Sequence, residues 1–339
     1  MTTTSPRHTR QADPAHEPPA AARAAGLVVA ITAVLAIVAI AFALPATRSG
    51  PHDVPIGAAE PQAAGGQIAQ TLDRHAPGAF AVTYYPSRSA LARAVADRDV
   101  YGGLVLPDRP GQEASLLIAT GAGPAVAQLL TQLGDQIGAT TGMAVHTEDL
   151  APPTARDPRG AGLAASALPL TLAGLLPAIA LVLLLPRQHW TRFAAALGSA
   201  ALCGVTIAVL LRYVFGSVQH NFWGIAAGLT LGVAAALLFI LGLGAVFGRA
   251  GLAIGGMLAL LVGNPLSGLA SAPELLPAGW GAAGQLLPQG ATATLLRSTA
   301  YFDGAGAGTA IVVLLCWAFA GAALIIGAAQ RRGPVRQVT

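Results

Sequence analysis

Apolar residues in this chain come in long uninterrupted blocks, unlike the short periodic runs that build a water-soluble core. Residues 26–44 are free of charge, and at 1.5 Å per residue they span about 28 Å, the thickness of a bilayer's hydrocarbon. Four later blocks, 163–185, 193–211, 222–247 and 308–329, are equally uncharged and each predicts a transmembrane helix. A sixth apolar stretch, 250–269, is interrupted at Asn264-Pro265. Pro lacks a backbone donor and disfavours helix in the residue before it, so this segment is expected to break near the outer surface. Residues 271–307 are too polar to cross, yet carry apolar pieces at 274–280 and 286–296, read as short helices dipping into the outer interface.

Between the first block and the second the pattern changes. Residues 79–85 and 101–106 are β-rich runs flanking 87–97, where Leu91, Ala94 and Val95 recur at helical spacing. Residues 114–120 read as strand, 124–138 as an amphipathic helix and 143–146 as a short strand. The expectation is a small α/β domain over 45–162. Its edges, 45–67 and 151–162, are rich in Pro, Gly and Ala and read as linkers. Residues 1–25 are too polar to fold alone and read as a disordered tail, with 330–339 as a second tail.

Composition supports a lipid environment. Hydrophobic residues make up 54% of the chain and charged ones 10%, against about 25% charged in a soluble protein. The net charge of +4 is scattered over helix ends and the α/β segment, with no basic run interleaved with aromatics, which argues against nucleic acid. Every basic residue is Arg, and Ala, Gly and Pro abound, as in a GC-rich bacterial genome, so the membrane is read as a bacterial cytoplasmic one. Arg7, Arg10, Arg23, Arg187, Arg192, Arg249, Arg331, Arg332 and Arg336 fall on one side of a six-helix arrangement, while the short segments opposite hold Arg297 and, at a helix end, Arg212. By the positive-inside rule both termini are cytoplasmic and residues 45–162 lie outside. The competing reading of the first block is a cleaved signal peptide ending at Ala41-Phe42-Ala43. That block exceeds the usual apolar region of about 7 to 15 residues, which favours an uncleaved anchor, and either outcome leaves the α/β segment outside.

Catalytic signatures are missing from the sequence. There is no G-x-x-x-x-G-K-[ST] loop and no Lys to serve one, nor H-E-x-x-H, C-x-x-C or G-x-S-x-G. The seven His are dispersed, and Cys203 and Cys316 sit in apolar blocks as small apolar residues. No catalytic, cofactor or metal-binding residue is assigned. Proton relays place ionisable groups inside transmembrane helices, but Arg212, near a helix end, is the exception here and reads as snorkelling to the interface. Arg88, Arg93 and Arg98 read as solvated surface, and Glu274 and Asp303 as capping and solvating the outer segment.

The apolar blocks carry small residues at spacing four: Ala196, Ala200, Gly204 and Ala208; Gly224, Gly228, Gly232 and Ala236; Gly251, Gly255, Ala259 and Gly263. Such ridges let helices approach closely in lipid. They read as ordinary helix packing or as a sliding bundle or dimer face. Trp190, Trp223 and Trp280 fall at interfacial depths and read as anchors.

Taken with this order of parts, three stretches carry a family resemblance: Asp99-Val100-Tyr101-Gly102-Gly103-Leu104-Val105-Leu106-Pro107; Gly263-Asn264-Pro265-Leu266-Ser267-Gly268; and Leu287-Pro288-Gln289-Gly290 through Arg297-Ser298-Thr299-Ala300-Tyr301-Phe302-Asp303-Gly304. The chain resembles the permeases of the ATP-binding-cassette type-2 exporter group, and more closely the YhgE/Pip (phage infection protein) branch. The resemblance implies a bundle of six transmembrane helices acting as a homodimer or heterodimer. It also implies a separate ATPase that would carry the ATP, and an exported hydrophobic or amphipathic substrate. It places the ATPase contact at Arg187, Gln188, His189, Trp190 and Arg192. One departure is that residues 1–25 lack the amphipathic helix with which such permeases usually begin. The alternative is a membrane-anchored surface interaction protein, a receptor or secretion accessory, working through residues 45–162.

Overall fold

The computed structural model describes residues 19–59, 70, 72, 74, 76–107, 113–186 and 188–331. Residues 1–18, Arg187 and 332–339, with Arg7, Arg10, Arg332 and Arg336, lie outside the described residues. The chain divides into two compact units, Met1–Ala41 and Phe42–Thr339. The first is described from Pro19 on and is almost wholly the body of helix α1, Ala20–Thr47. That helix starts at Ala20, within the stretch read from sequence as a tail. It is apolar on every side, with Leu27, Val29 and Leu35 exposed, the surface of a helix suited to lipid.

The second unit contains a five-stranded sheet and a helical bundle. The strands are β1 Val54–Ala59, β2 Phe80–Tyr85, β3 Gly102–Val105, β4 Ala114–Ile118 and β5 Val145–Asp149. Their order is β2-β1-β3-β4-β5, parallel except for the β3–β4 pair. Helix α2, Arg88–Ala96, is capped by the Ser87 hydroxyl, which accepts from the Ala90 amide. It buries Leu91, Ala94 and Val95, the residues whose spacing predicted it. Helix α3, Pro124–Thr141, begins with Pro at its first turn and ends at Gly142 in the left-handed region.

Strand β1 corrects the sequence reading, which placed 45–67 in a linker. Its segment, Val-Pro-Ile-Gly-Ala-Ala, lacks the bulky alternation of a typical strand because it lies inside the sheet, where small residues are required. A Cβ on Gly57 would stand 2.1 Å from Leu91 Cδ1, and one on Gly103 would stand 2.2 Å from the Gly57 carbonyl oxygen.

The bundle comprises α4 Ala161–Ala165, α5 Ala167–Leu184, α6 His189–Val209, α7 Phe222–Phe247, α8 Arg249–Met257, α9 Trp280–Gln285, α10 Pro288–Tyr301 and α11 Gly308–Arg331. Helices α6 and α8 run on into π-helical turns, Leu210–Val214 and Leu258–Gly263. Among the described residues, five helical stretches are long and apolar enough to cross a membrane: Ala20–Thr47, Ala161–Leu184, His189–Val214, Phe222–Phe247 and Gly308–Arg331. The protein is therefore a helical membrane protein with a small sheet. The stretch Arg249–Gly263 is shorter; its 15 positions rise about 22 Å, less than the hydrocarbon thickness. It stops in turns at Asn264-Pro265, the position at which the sequence predicts a break.

Helix α7 is the centre of the bundle, packed by α5, α6, α8, α10 and α11. Of its most apolar 18-residue window, 67% is buried. The small-residue ridges supply these contacts. A Cβ on Gly204 would meet Thr230, on Gly228 Leu295, on Gly232 Thr292, on Gly255 Ile240 and on Gly263 Gln289. Gly251 approaches the Leu243 carbonyl, while Gly224 packs on Asn221, the cap of its own helix. The ridges thus close helices on one another within the chain.

Candidate functional site

The sheet is joined to the bundle through a polar seam. Residues 151–162, read from sequence as a linker, are part of it. The Thr154 hydroxyl donates to the Gly216 carbonyl, and the Asp157 carboxylate accepts from the Ser217 hydroxyl and from the amides of Ala161 and Gly162. Burial alone would raise the Asp157 pKa, but these three donors outweigh it and hold the carboxyl below its ordinary range. Of the short helices expected at 274–280 and 286–296, the second is α10, which runs on to Tyr301, while the first is only a 3-10 turn, Pro273–Leu275, with α9 following at Trp280–Gln285. Leu275 and Ala272 pack into the sheet's core, and Phe302 into the core beneath α2. The chain pairs with itself there as well, Gly50 and His52 amides donating to the Leu275 and Glu274 carbonyls.

Within the seam lies a cavity of about 590 Å³ between the residues leading into β1 and β3 on one side and α9 and α10 on the other. Arg98, Tyr101, Glu274, Gln285, Thr294 and Arg297 are among its polar lining, which His52, Asp53 and Thr309 extend, and Val100, Pro273 and Leu276 are among the apolar residues. Tyr101 donates to the Glu274 carboxylate at 2.7 Å. Burial first, and the Glu274 charge second, push its phenol far above the usual value. Gln285 accepts from the Thr294 hydroxyl.

Two guanidiniums face this cavity. Arg98 donates to the Ser298 hydroxyl and the Thr294 carbonyl, and lies 5.4 Å from the Phe302 ring centre. Arg297 is 4% exposed and donates to the Leu269 carbonyl at 2.8 Å. Neither forms an ion pair among the described residues. Burial lowers the pKa of both, and the nearby Glu274 opposes that shift. A guanidinium is so basic that it stays charged even so. A second cavity of about 120 Å³, lined by Pro124, Leu163 and Tyr301 among others, also borders Arg297.

The backbone at this site is unusual. Arg98 has φ of +65° and Asp53 of +48°, and both line the cavity. Arg98 follows the last turn of α2, where Gly is the ordinary occupant of the left-handed region. A residue with a Cβ pays of order 1–2 kcal/mol to sit there.

The expected ATPase contact falls elsewhere. Gln188 caps α6 and His189, Trp190 and Arg192 form its first turn, so the predicted loop is partly helix. Arg192 is 3% exposed and its Nε donates to the Leu185 carbonyl, pinning the turn, whereas Trp190 is 66% exposed. Arg212 donates to the Gln219 carbonyl and lies over the Tyr213 ring. Asn264 and Pro265 sit in the turn after the π-helical end of α8, with Asn264 accepting from Ser267. Among the described residues no cluster of three or more His, Cys, Asp or Glu is placed to hold a metal.

Sequence reasoning named Tyr101 and Arg297 within the family motifs but assigned neither a site, and it gave Arg98 to the solvated surface. In Asp97-Arg98-Asp99 the Arg reads as one more charge in a polar run; in the fold its side chain instead reaches α10, where it meets Thr294, Ser298 and the Phe302 ring. Gln285 carries no signal in the sequence, and Thr294 is only one more position within the 287–304 stretch. Comparison with protein-family models, with curated proteins and with solved structures finds no match to this chain.

Proposed function

We propose that the protein is the membrane-spanning subunit of an exporter of the ATP-binding-cassette type-2 group, of the YhgE/Pip kind, moving a hydrophobic or amphipathic molecule with a separate ATPase. On this reading the chain crosses a bacterial cytoplasmic membrane six times, with Arg249–Gly263 as a short fifth crossing followed by the re-entrant segment 271–307. Both termini are cytoplasmic, the sheet is outside, and the working unit is a dimer.

One observation carries the reading, and it concerns α10. One face of this helix, through Thr292 and Leu295, packs on Gly232 and Gly228 of the central α7. Another, through Thr294 and Ser298, is held by Arg98 of the sheet unit, and Arg297 of the same helix lines the cavity. A ligand in the cavity therefore touches the element that links sheet to bundle, the coupling a transport cycle needs. The motifs at 99–107, 263–268 and 287–304 support the family.

The test is affinity purification of the tagged full chain in mild detergent. A stoichiometric nucleotide-binding subunit is expected, and the exposed Trp190 should matter to it: Trp190→Ala should lose the subunit while the melting temperature holds. Recovery of the chain alone, or of surface proteins held through residues 45–162, would overturn the exporter reading.

A further inference from the structure

The cavity at the seam has the composition of a receptor for a charged head with an apolar body. Two guanidiniums line it, Arg98 and the almost fully buried Arg297, and one carboxylate, Glu274, faces them from within; Asp53 is at the exposed rim. Glu274 already accepts from Tyr101. Of the five donors on each guanidinium, Arg297 uses one on Leu269 and Arg98 one nitrogen on Thr294 and Ser298. The interior thus keeps an uncompensated positive charge and spare donors. A buried charge is costly unless paired, and a second anionic group would complete the pair.

The backbone points the same way. Arg98 occupies a left-handed position that glycine would fill without strain. Strain of this kind persists where the side chain serves a purpose that outweighs it. Around the two guanidiniums, Val100, Pro273 and Leu276 offer apolar wall.

We propose that this cavity binds the anionic head, carboxylate or phosphate, of an amphipathic molecule, with Arg98 and Arg297 holding the charge. Guanidinium forks match both oxyanions in bidentate geometry. The naming of this molecule as the exported cargo rests on the exporter reading above; the binding site itself does not.

The experiment is isothermal titration calorimetry on the purified full chain in a neutral detergent. Hexyl phosphate, hexanoate, inorganic phosphate and hexanol are the probes. Saturable binding of hexyl phosphate or hexanoate is expected, and the tighter of the two identifies the head. Hexanol should not bind. Arg98→Gly relieves the left-handed strain and so should keep the fold, yet weaken binding at least about tenfold, the cost of a lost charge-assisted contact. Arg297→Gln should do the same, and Glu274→Gln, which removes the opposing charge while keeping an acceptor for Tyr101, should tighten it. Arg88→Gln, in the exposed ion pair with Glu148, should change nothing. The proposal is overturned if hexanol binds as well as the anions, or if Arg98→Gly binds as tightly as the parent. Inorganic phosphate binding as tightly as hexyl phosphate would overturn the amphipathic assignment. Anion binding without a recovered ATPase would uphold the site and remove the exporter reading, and the reverse result would do the opposite.

Discussion

The hydroxyl of Tyr101, just before β3, donates to the carboxylate of Glu274, 173 positions along the chain, at 2.7 Å. This bond closes the wall of the cavity between sheet and bundle. Tyr101→Phe removes the donor and leaves a partly buried carboxylate without it, which should cost about 1.5–3 kcal/mol. A lower melting temperature in detergent, with faster proteolysis within residues 264–287, is the expected observation. Glu274→Gln retains an acceptor and should cost less.

Alkaline pH should loosen the same seam. Tyr301, at the end of α10, has its pKa raised from 10.0 to about 12, by burial and then by the Asp157 charge. A group whose folded pKa is raised contributes stability that is whole below its unfolded value and lost as pH climbs to the folded one. Stability should therefore fall between pH 10 and about 12, and Tyr301→Phe should flatten that part of the profile. Melting temperature against pH reads this directly.

Acid should act through Asp157. Its carboxyl is depressed below 3.8 by the Ser217 hydroxyl and two amides, against the opposing effect of burial. Its contribution is present above pH 3.8 and is lost as pH falls through the lower folded value. Asp157→Asn should lower stability at neutral pH and leave a variant that responds less to acid. Limited proteolysis within residues 153–162, compared between pH 7 and pH 3, would show the difference.

Glycines on helices divide into two kinds. A Cβ on Gly321 would lie 2.4 Å from the Leu238 carbonyl carbon, and one on Gly232 would lie 2.2 Å from Thr292 Oγ1. At Gly198 and Gly327 a Cβ would meet nothing within 4 Å. Gly321→Ala should therefore destabilise by about 1–3 kcal/mol or more, with Gly232→Ala milder because a side chain can shift. Gly198→Ala and Gly327→Ala should be neutral or gain up to about 1 kcal/mol of helix propensity. Thermal denaturation in detergent ranks the four.

The long apolar blocks made the spanning helices legible, because bilayer thickness imposes a length that few other segments share. Helix α2 was legible through Leu91, Ala94 and Val95. Strand β1 was not, since Gly57 and its small neighbours owe their place to the neighbouring strands and to α2. The site was the least legible part. Arg98 and Arg297 are 199 positions apart, and what they share is a cavity made by tertiary docking, which no local pattern encodes.

Gly321 touches the main chain of α7 at Leu238, and Gly242 in turn meets the Gly321 carbonyl. Side chains cushion a contact by changing rotamer, but main chain against main chain has nothing to compress. Helices α7 and α11 should thus behave as one spar that passes a push along its length undiminished. The contact between α7 and α10 rests on Leu295 and Thr292 and is sprung by comparison, so any large displacement within the chain is expected at α10, the strut between spar and sheet.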